Sequence, residues 1–276
     1  MKIDEASLLD DLEHNRLPLP TLPEVALRIR DAVEDEDCSV RDVAEVIATD
    51  PALTARLIQI ANSPMYRGAR QVDSIQKAVG VLGLATVRSL VTSLVMKQVF
   101  QATHPVLDAF LRELWGRSVE VATVSRMLAA GLTRLDPDTA MLGGLVHAIG
   151  VAPILLRAEE DPELVDDAPR LRALAEKLYP RVGRTILEAW RFPPSLVAVA
   201  EQHVEFERDT GRDTPDYVDL VIVALLQTLA GVSDACQRVD LDRVTAFRRL
   251  GVEPNFEQVE IGGPETADEL RQALAG

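Results

Sequence analysis

Apolar residues along the chain recur three and four positions apart, and no stretch bounded by turn residues shows a convincing two-residue alternation. That period belongs to helices with one buried face, so an all-α helical bundle is expected and no strand is predicted. Thr21-Leu22-Pro23-Glu24 reads as a capping box with an early proline. It opens an amphipathic run through Val25, Leu27, Ile29 and Val33, which the acidic stretch Glu34 to Asp37 ends. Ser39-Val40-Arg41-Asp42 is a second box, with Val43, Val46 and Ile47 turned inward. Asp50-Pro51 supplies an N-cap and a proline at the first helical position. The helix it starts carries Leu53, Leu57, Ile58 and Ala61 and stops at Asn62-Ser63-Pro64. Ser74 caps a short helix through Ala78 and Val79 to a break at Gly80 to Gly83, and a long apolar helix follows from about Leu84 to Phe100.

The second half has the same style with different spacing. His104-Pro105 reads as a linker, and a helix is predicted from about Leu114 to Ala130. Asp136-Pro137 caps the next, which runs into Gly143, Gly144, His147 and Gly150. The Gly143-Gly144 pair reads as a helix-packing or turn feature. An acidic, solvated loop holds Glu159, Glu160, Asp161, Asp166 and Asp167. Helices are predicted over Pro169 to Tyr179 and Arg181 to Trp190, then from Pro193-Pro194 through Val197, Ala200 and His203. A very apolar helix spans Tyr217 to Gly231. Leu241, Val244, Phe247 and Leu250 form a stripe ending at Gly251, and a short polar helix closes the chain from Thr266 to Ala275. Three parts are expected along the chain, residues 1–104, 105–236 and a C-terminal helical extension over 237–276.

Composition narrows the chemistry. Aromatics are only 4% of 276 residues, so the core must be built from Leu, Val, Ile and Ala. A net charge of -15 repels phosphate backbones and anionic bilayers, which argues against nucleic acid and membrane partners. The 25 Arg against 4 Lys leave many bidentate donors for carboxylates or phosphates, unless they simply solvate the surface. Cys38 and Cys236 lie too far apart in sequence for a disulfide framework or zinc motif, and a reducing compartment fits them. The first residues are acidic and lack an apolar signal core. No apolar run approaches the roughly 18 residues of a membrane span. The nearest, Leu145 to Leu156, is interrupted by His147 and Pro153. A cytoplasmic location is expected.

Several motifs together resemble a known family. They are the run Leu19 to Val25 with Pro20, Pro23 and Glu24, and Ile47 to Leu53 with Asp50 and Pro51. Asn62-Ser63-Pro64 and Ala78 to Leu84 with Gly83 follow. Later come Leu114-Trp115-Gly116-Arg117-Ser118, the stretch Gly144 to Gly150, and Gly183 followed by Trp190-Arg191-Phe192-Pro193. Their order and spacing, over roughly residues 15 to 235, resemble the HDOD family, the HD-related output domain of bacterial signalling proteins. The resemblance gives the first two of the three parts their meaning: it implies an N-terminal HDOD helical subdomain, residues 1–104, packed on a degenerate HD-like bundle, residues 105–236. It also implies kinship with HD-type phosphohydrolases, including the HD-GYP enzymes that hydrolyse cyclic di-GMP. There, His and Asp residues from several helices hold metals that ionise a water and polarise a phosphoryl oxygen.

Carried onto this chain, the metal positions are depleted. Arg117 stands at an upstream His position, and His147-Ala148 replaces the His-Asp pair. Tyr179 takes a later His position, His203-Val204 replaces a His-His pair, and Gln227 stands where a terminal Asp is expected. Two neutral imidazoles without an anionic ligand suit a hard metal poorly, so no metal, no other cofactor and no catalytic residue is expected. His147 and His203 read either as satisfied core histidines or, with Arg117 and Tyr179, as a remnant pocket that admits a small anionic ligand. The leading expectation is a non-enzymatic signalling or scaffold protein that binds a partner protein. A divergent metal phosphohydrolase acting on nucleotides or cyclic dinucleotides, and a nucleotide sensor without hydrolysis, are the alternatives.

Overall fold

The computed structural model describes residues 3–14, 16–34, 39–66, 71–229, 239–256 and 264–275. Among them every regular element is helical. In chain order the helices are α1 (Glu5–Glu13), α2 (Glu24–Glu34), α3 (Val40–Ile47), α4 (Pro51–Ala61), α5 (Ile75–Leu82), α6 (Leu84–Met96) and α7 (Pro105–Leu132). Then come α8 (Pro137–Val146), α9 (Val151–Ala158), α10 (Pro162–Val165), α11 (Ala168–Ala189), α12 (Pro194–Gln202), α13 (Tyr217–Leu229), α14 (Thr245–Leu250) and α15 (Pro264–Ala275). They fall into two compact units, each drawn from separated stretches of chain. One is Met1–Thr21 with Val99–Val259; the other is Leu22–Gln98 with Glu260–Gly276.

In the smaller unit, polar caps fix where helices begin. Ser39 and Asp42 form the reciprocal capping box, and Asp50 accepts from the N–H groups of Ala52 and Leu53 ahead of Pro51. Asn62 ends α4 and holds the returning chain. Its amide donates to the carbonyls of Ile58 and Val72 while its oxygen accepts from Val72 N–H at 2.8 Å. Gly83 turns the chain between α5 and α6 at φ 80, a conformation in which a Cβ is strained. Two expectations shift here. The Leu27 N–H donates to the Pro23 carbonyl, so α2 starts at Glu24 and Thr21 does not cap it. Gly80 lies inside α5, and the break is at Gly83 alone.

The 28-residue α7 is the spine of the larger unit, and α8 and α13 pack on it. It begins at Pro105 with His104 as N-cap, so His104-Pro105 opens a helix instead of linking two domains. α11 runs unbroken through Pro180, where two helices were expected. A mid-helix proline costs about 3 kcal/mol. Leu171, Leu178, Val182 and Ile186 are buried on both sides of it, at roughly 1.5–3 kcal/mol each, and their packing outweighs the lost hydrogen bond. The acidic loop is not all solvated. Asp161 is buried, caps α10 and accepts from the Ile3 N–H at 2.7 Å. α1 itself was not expected, although Asp4 and Ser7 form a capping box and Leu8 and Leu12 share one face.

Arg249 of α14 is fully buried and donates through Nε and Nη2 to both oxygens of Asp219 on α13, at 2.8 and 2.6 Å. Residues 137–158 carry more apolar content than the run Leu145 to Leu156 indicated. As one stretch they are long and apolar enough to cross a membrane, but 89% of the most apolar window is buried inside the protein, as in a core helix. The acidic stop at residues 35–37, Cys38, the end of the apolar helix at Gly231, and Cys236 lie outside the described residues.

Candidate functional site

Glycines set how closely the helices of the larger unit approach. A Cβ on Gly144 of α8 would sit 2.5 Å from Ala122 Cα on α7, backbone against backbone. One on Gly150 would sit 2.0 Å from the Tyr179 carbonyl oxygen of α11, and one on Gly183 would press on Ala200 of α12. Only hydrogen fits at the first two contacts. These approaches carry three polar rings into one place: His147 at the C-cap of α8, Tyr179 on α11 and His203 at the C-cap of α12.

The two imidazoles meet edge to face with centroids 5.1 Å apart, and the tyrosine ring lies 5.3 Å from that of His203. His147 Nδ1 lies 2.6 Å from the Gly144 carbonyl and His203 Nδ1 lies 2.8 Å from the Val199 carbonyl. A carbonyl only accepts, so both rings carry their proton on Nδ1. His203 Nε2 therefore accepts from the Tyr179 hydroxyl at 2.7 Å. Burial pushes His147 down to about 4, against a weaker upward pull from the Gly144 carbonyl. Burial and then the neighbouring His147 push His203 down to about 3. Both rings are neutral at neutral pH.

They line a pocket of about 300 Å³ whose walls come from α7, the start of α9, α11, α13 and the stretch after α12. Ala148 and Val204, beside the two histidines, also line it. Arg117 does too; its guanidinium is ion-paired with Glu113 one turn back on α7. Gln227 is different. It is buried on α13 and outside the pocket lining, and neither atom of its amide has a hydrogen-bond partner. Sequence reasoning missed Phe110, Arg172, Glu176 and Phe206, which complete the rim. A signal existed for two of them. Arg172 and Glu176 lie seven and three residues before Tyr179, on its helical face. Phe110 lies ahead of the expected helix start at about Leu114, in the part of α7 that the pattern did not predict.

The motif residues outside the pocket have structural work. The Trp190 indole donates to the Pro20 carbonyl at 3.0 Å, and Pro193 precedes the first turn of α12. Trp115 packs on Phe100 with centroids 5.3 Å apart. Pro23, Glu24, Asp50, Pro51, Asn62 and Gly83 start, stop or turn helices of the smaller unit. There Ser63 also lines a second cavity, of about 360 Å³, with Met65, Tyr66 and Leu270.

A metal-dependent hydrolase needs anionic or imidazole ligands converging on one point. Among the described residues no group of three or more His, Cys, Asp or Glu side chains is placed to hold an ion. In the pocket, Nδ1 of each ring is committed to a carbonyl and His203 Nε2 to Tyr179. The donor set does not fit a catalytic cation.

The HDOD domain family matches residues 19–206. The crystal structure of a candidate metal-dependent phosphohydrolase from Shewanella amazonensis is similar, with a TM-score of 0.84 and 30% identity, over 98% of this chain and 97% of that one. An HDOD domain protein of unknown function from Geobacter sulfurreducens gives a TM-score of 0.64 at 22% identity, covering 98% and 97%. An uncharacterised protein of Treponema pallidum is 22% identical over 215 residues, which are 72% of this chain and 39% of that protein. The chain thus spans well under half the length of that relative.

Proposed function

Because this chain belongs to the HDOD domain family, which is related to the HD phosphohydrolases, we propose that it is a bacterial signal-transduction protein that has lost metal-assisted hydrolysis and acts by engaging a partner protein. The non-enzymatic part rests on one observation. At the position implied for a metal centre, two neutral imidazoles stand with Ala148 and Arg117. Among the described residues Glu176 is the one carboxylate lining the pocket, and no three His, Cys, Asp or Glu side chains are grouped to hold an ion. A hard cation wants several oxygen ligands, and one carboxylate with two imidazoles already committed through Nδ1 is too few. The signalling part rests on the family, and fold kinship alone does not fix a function.

The experiment is elemental analysis of protein purified without chelator, with a phosphodiesterase assay in Mn²⁺ and Fe²⁺. Negligible metal and no turnover are expected. Near-stoichiometric metal, or turnover that disappears in His147→Ala, would refute the reading. A second reading, a divergent metal-dependent phosphohydrolase, is favoured by the description of the Shewanella amazonensis relative at 30% identity. The same two measurements decide between them.

A further inference from the structure

His147 leaves one polar atom unanswered. Its Nδ1–H is taken by Gly144, so Nε2 carries a lone pair, and among the described residues nothing donates to it. The residue is only 5% exposed and lines the pocket, so Nε2 is left for a donor that enters there. It lies at the deep end of the pocket, where His203 is fully buried beside it. Two guanidiniums line the more exposed part of the pocket. Arg172 is exposed, with its guanidinium 5.4 Å from the centroid of the Phe110 ring, and Arg117 is half-buried. Two carboxylates temper them, Glu113 paired with Arg117 and Glu176 on the rim. Between the ends the walls are apolar, formed by Phe110, Leu114, Val121, Phe206 and Leu225. A volume of about 300 Å³ is at the small end of ligand sites.

We propose that this pocket binds a small aromatic anion, a carboxylate or phosphate, whose far end carries an N–H or O–H that donates to His147 Nε2. The guanidiniums of Arg172 and Arg117 take the anionic group by charge-assisted hydrogen bonds, and the apolar walls hold the ring. This deepens the functional reading above and rests on it, since the ligand contacts the protein directly, with no metal between.

The test uses the full chain in chelator, followed by calorimetry and thermal shift. The probes are para-hydroxybenzoate and para-hydroxyphenyl phosphate, which separate a carboxylate from a phosphate ligand. Fragment-sized probes should bind on the order of 1 mM. para-Methoxybenzoate, without the donor, and para-hydroxybenzyl alcohol, without the charge, should each bind at least roughly tenfold more weakly. Arg172→Gln is exposed and should fold normally while losing a similar factor; His147→Phe should lose the preference for hydroxy over methoxy. Equal binding of the hydroxy and methoxy probes, or of the acid and the alcohol, overturns the proposal. So does no binding by either hydroxy probe, with or without Mn²⁺. Binding that appears only when Mn²⁺ is added overturns it too, and in that case the metal-free reading falls with it.

Discussion

His147 and His203 are neutral because water has been taken from them, and this ties stability to pH. The unfolded imidazole titrates near its ordinary value of about 6.5, whereas the folded ones titrate at about 4 and about 3. Between those limits the unfolded chain binds more protons, so stability rises with pH there and falls as the solution is acidified. The stabilisation is complete above about pH 6.5 and drains away toward pH 4, at roughly 1.4 kcal/mol per pH unit for each histidine. Urea unfolding at pH 7 and pH 5 measures it; equal midpoints would mean that the rings are solvated. Gly144 is held by a different force. With a Cβ 2.5 Å from the backbone of α7, Gly144→Ala should cost at least about 3 kcal/mol or prevent folding, read as the loss of a cooperative thermal transition. At this scale the sequence was partly legible. Arg117, His147, Tyr179 and His203, picked out through motif positions, do line one pocket. Gln227 does not, because it sits on another face of its helix from the pocket-lining Leu225. Arg172 was within reach through its helical spacing from Tyr179, whereas Phe110 and Phe206 come from stretches far from the motif histidines in sequence or carry no local pattern that joins them to the pocket.

Elements followed their punctuation more faithfully than their composition. Ser39, Asp50, Ser74 and Asp136 each cap the helix that their spacing predicts, since a side-chain oxygen satisfying orphan N–H groups is a local event. Two of the failures concern proline. Pro180 read as a break, yet burial on both sides carries α11 through it, and Pro105 read as part of a linker, yet it takes the first helical position of α7, where its missing N–H costs nothing. The end of α11 offers a test. Arg191 adopts φ 56, and the Phe192 N–H donates back to the Leu187 carbonyl at 2.9 Å, the signature of a helix end closed by a left-handed residue. Arg191→Gly relieves that backbone and should raise stability by about 0.5–1 kcal/mol, measured by denaturant midpoint. A loss would mean that the arginine side chain contributes more than its strain costs.

At the scale of the whole molecule, each unit is stitched from distant stretches of chain. Ile3 ahead of α1 and Leu8 and Leu12 on it are buried, and Asp11 accepts from Arg157 Nε at 3.0 Å across 146 positions. A chain lacking residues 1–14 should therefore lose at least about 4 kcal/mol, from three buried aliphatic side chains at roughly 1.5 kcal/mol or more each. Differential scanning calorimetry would show it as a lowered transition, and an unchanged transition would mean that α1 contributes little to its unit. The same stitching dictates an order of events on the ribosome. The first twenty-one residues emerge before any of their lasting neighbours exist and must wait while Leu22 to Gln98 is made. α15, which packs on α4, is made after the whole stretch Val99–Val259, so the smaller unit is completed only once that stretch of the larger one has been synthesised.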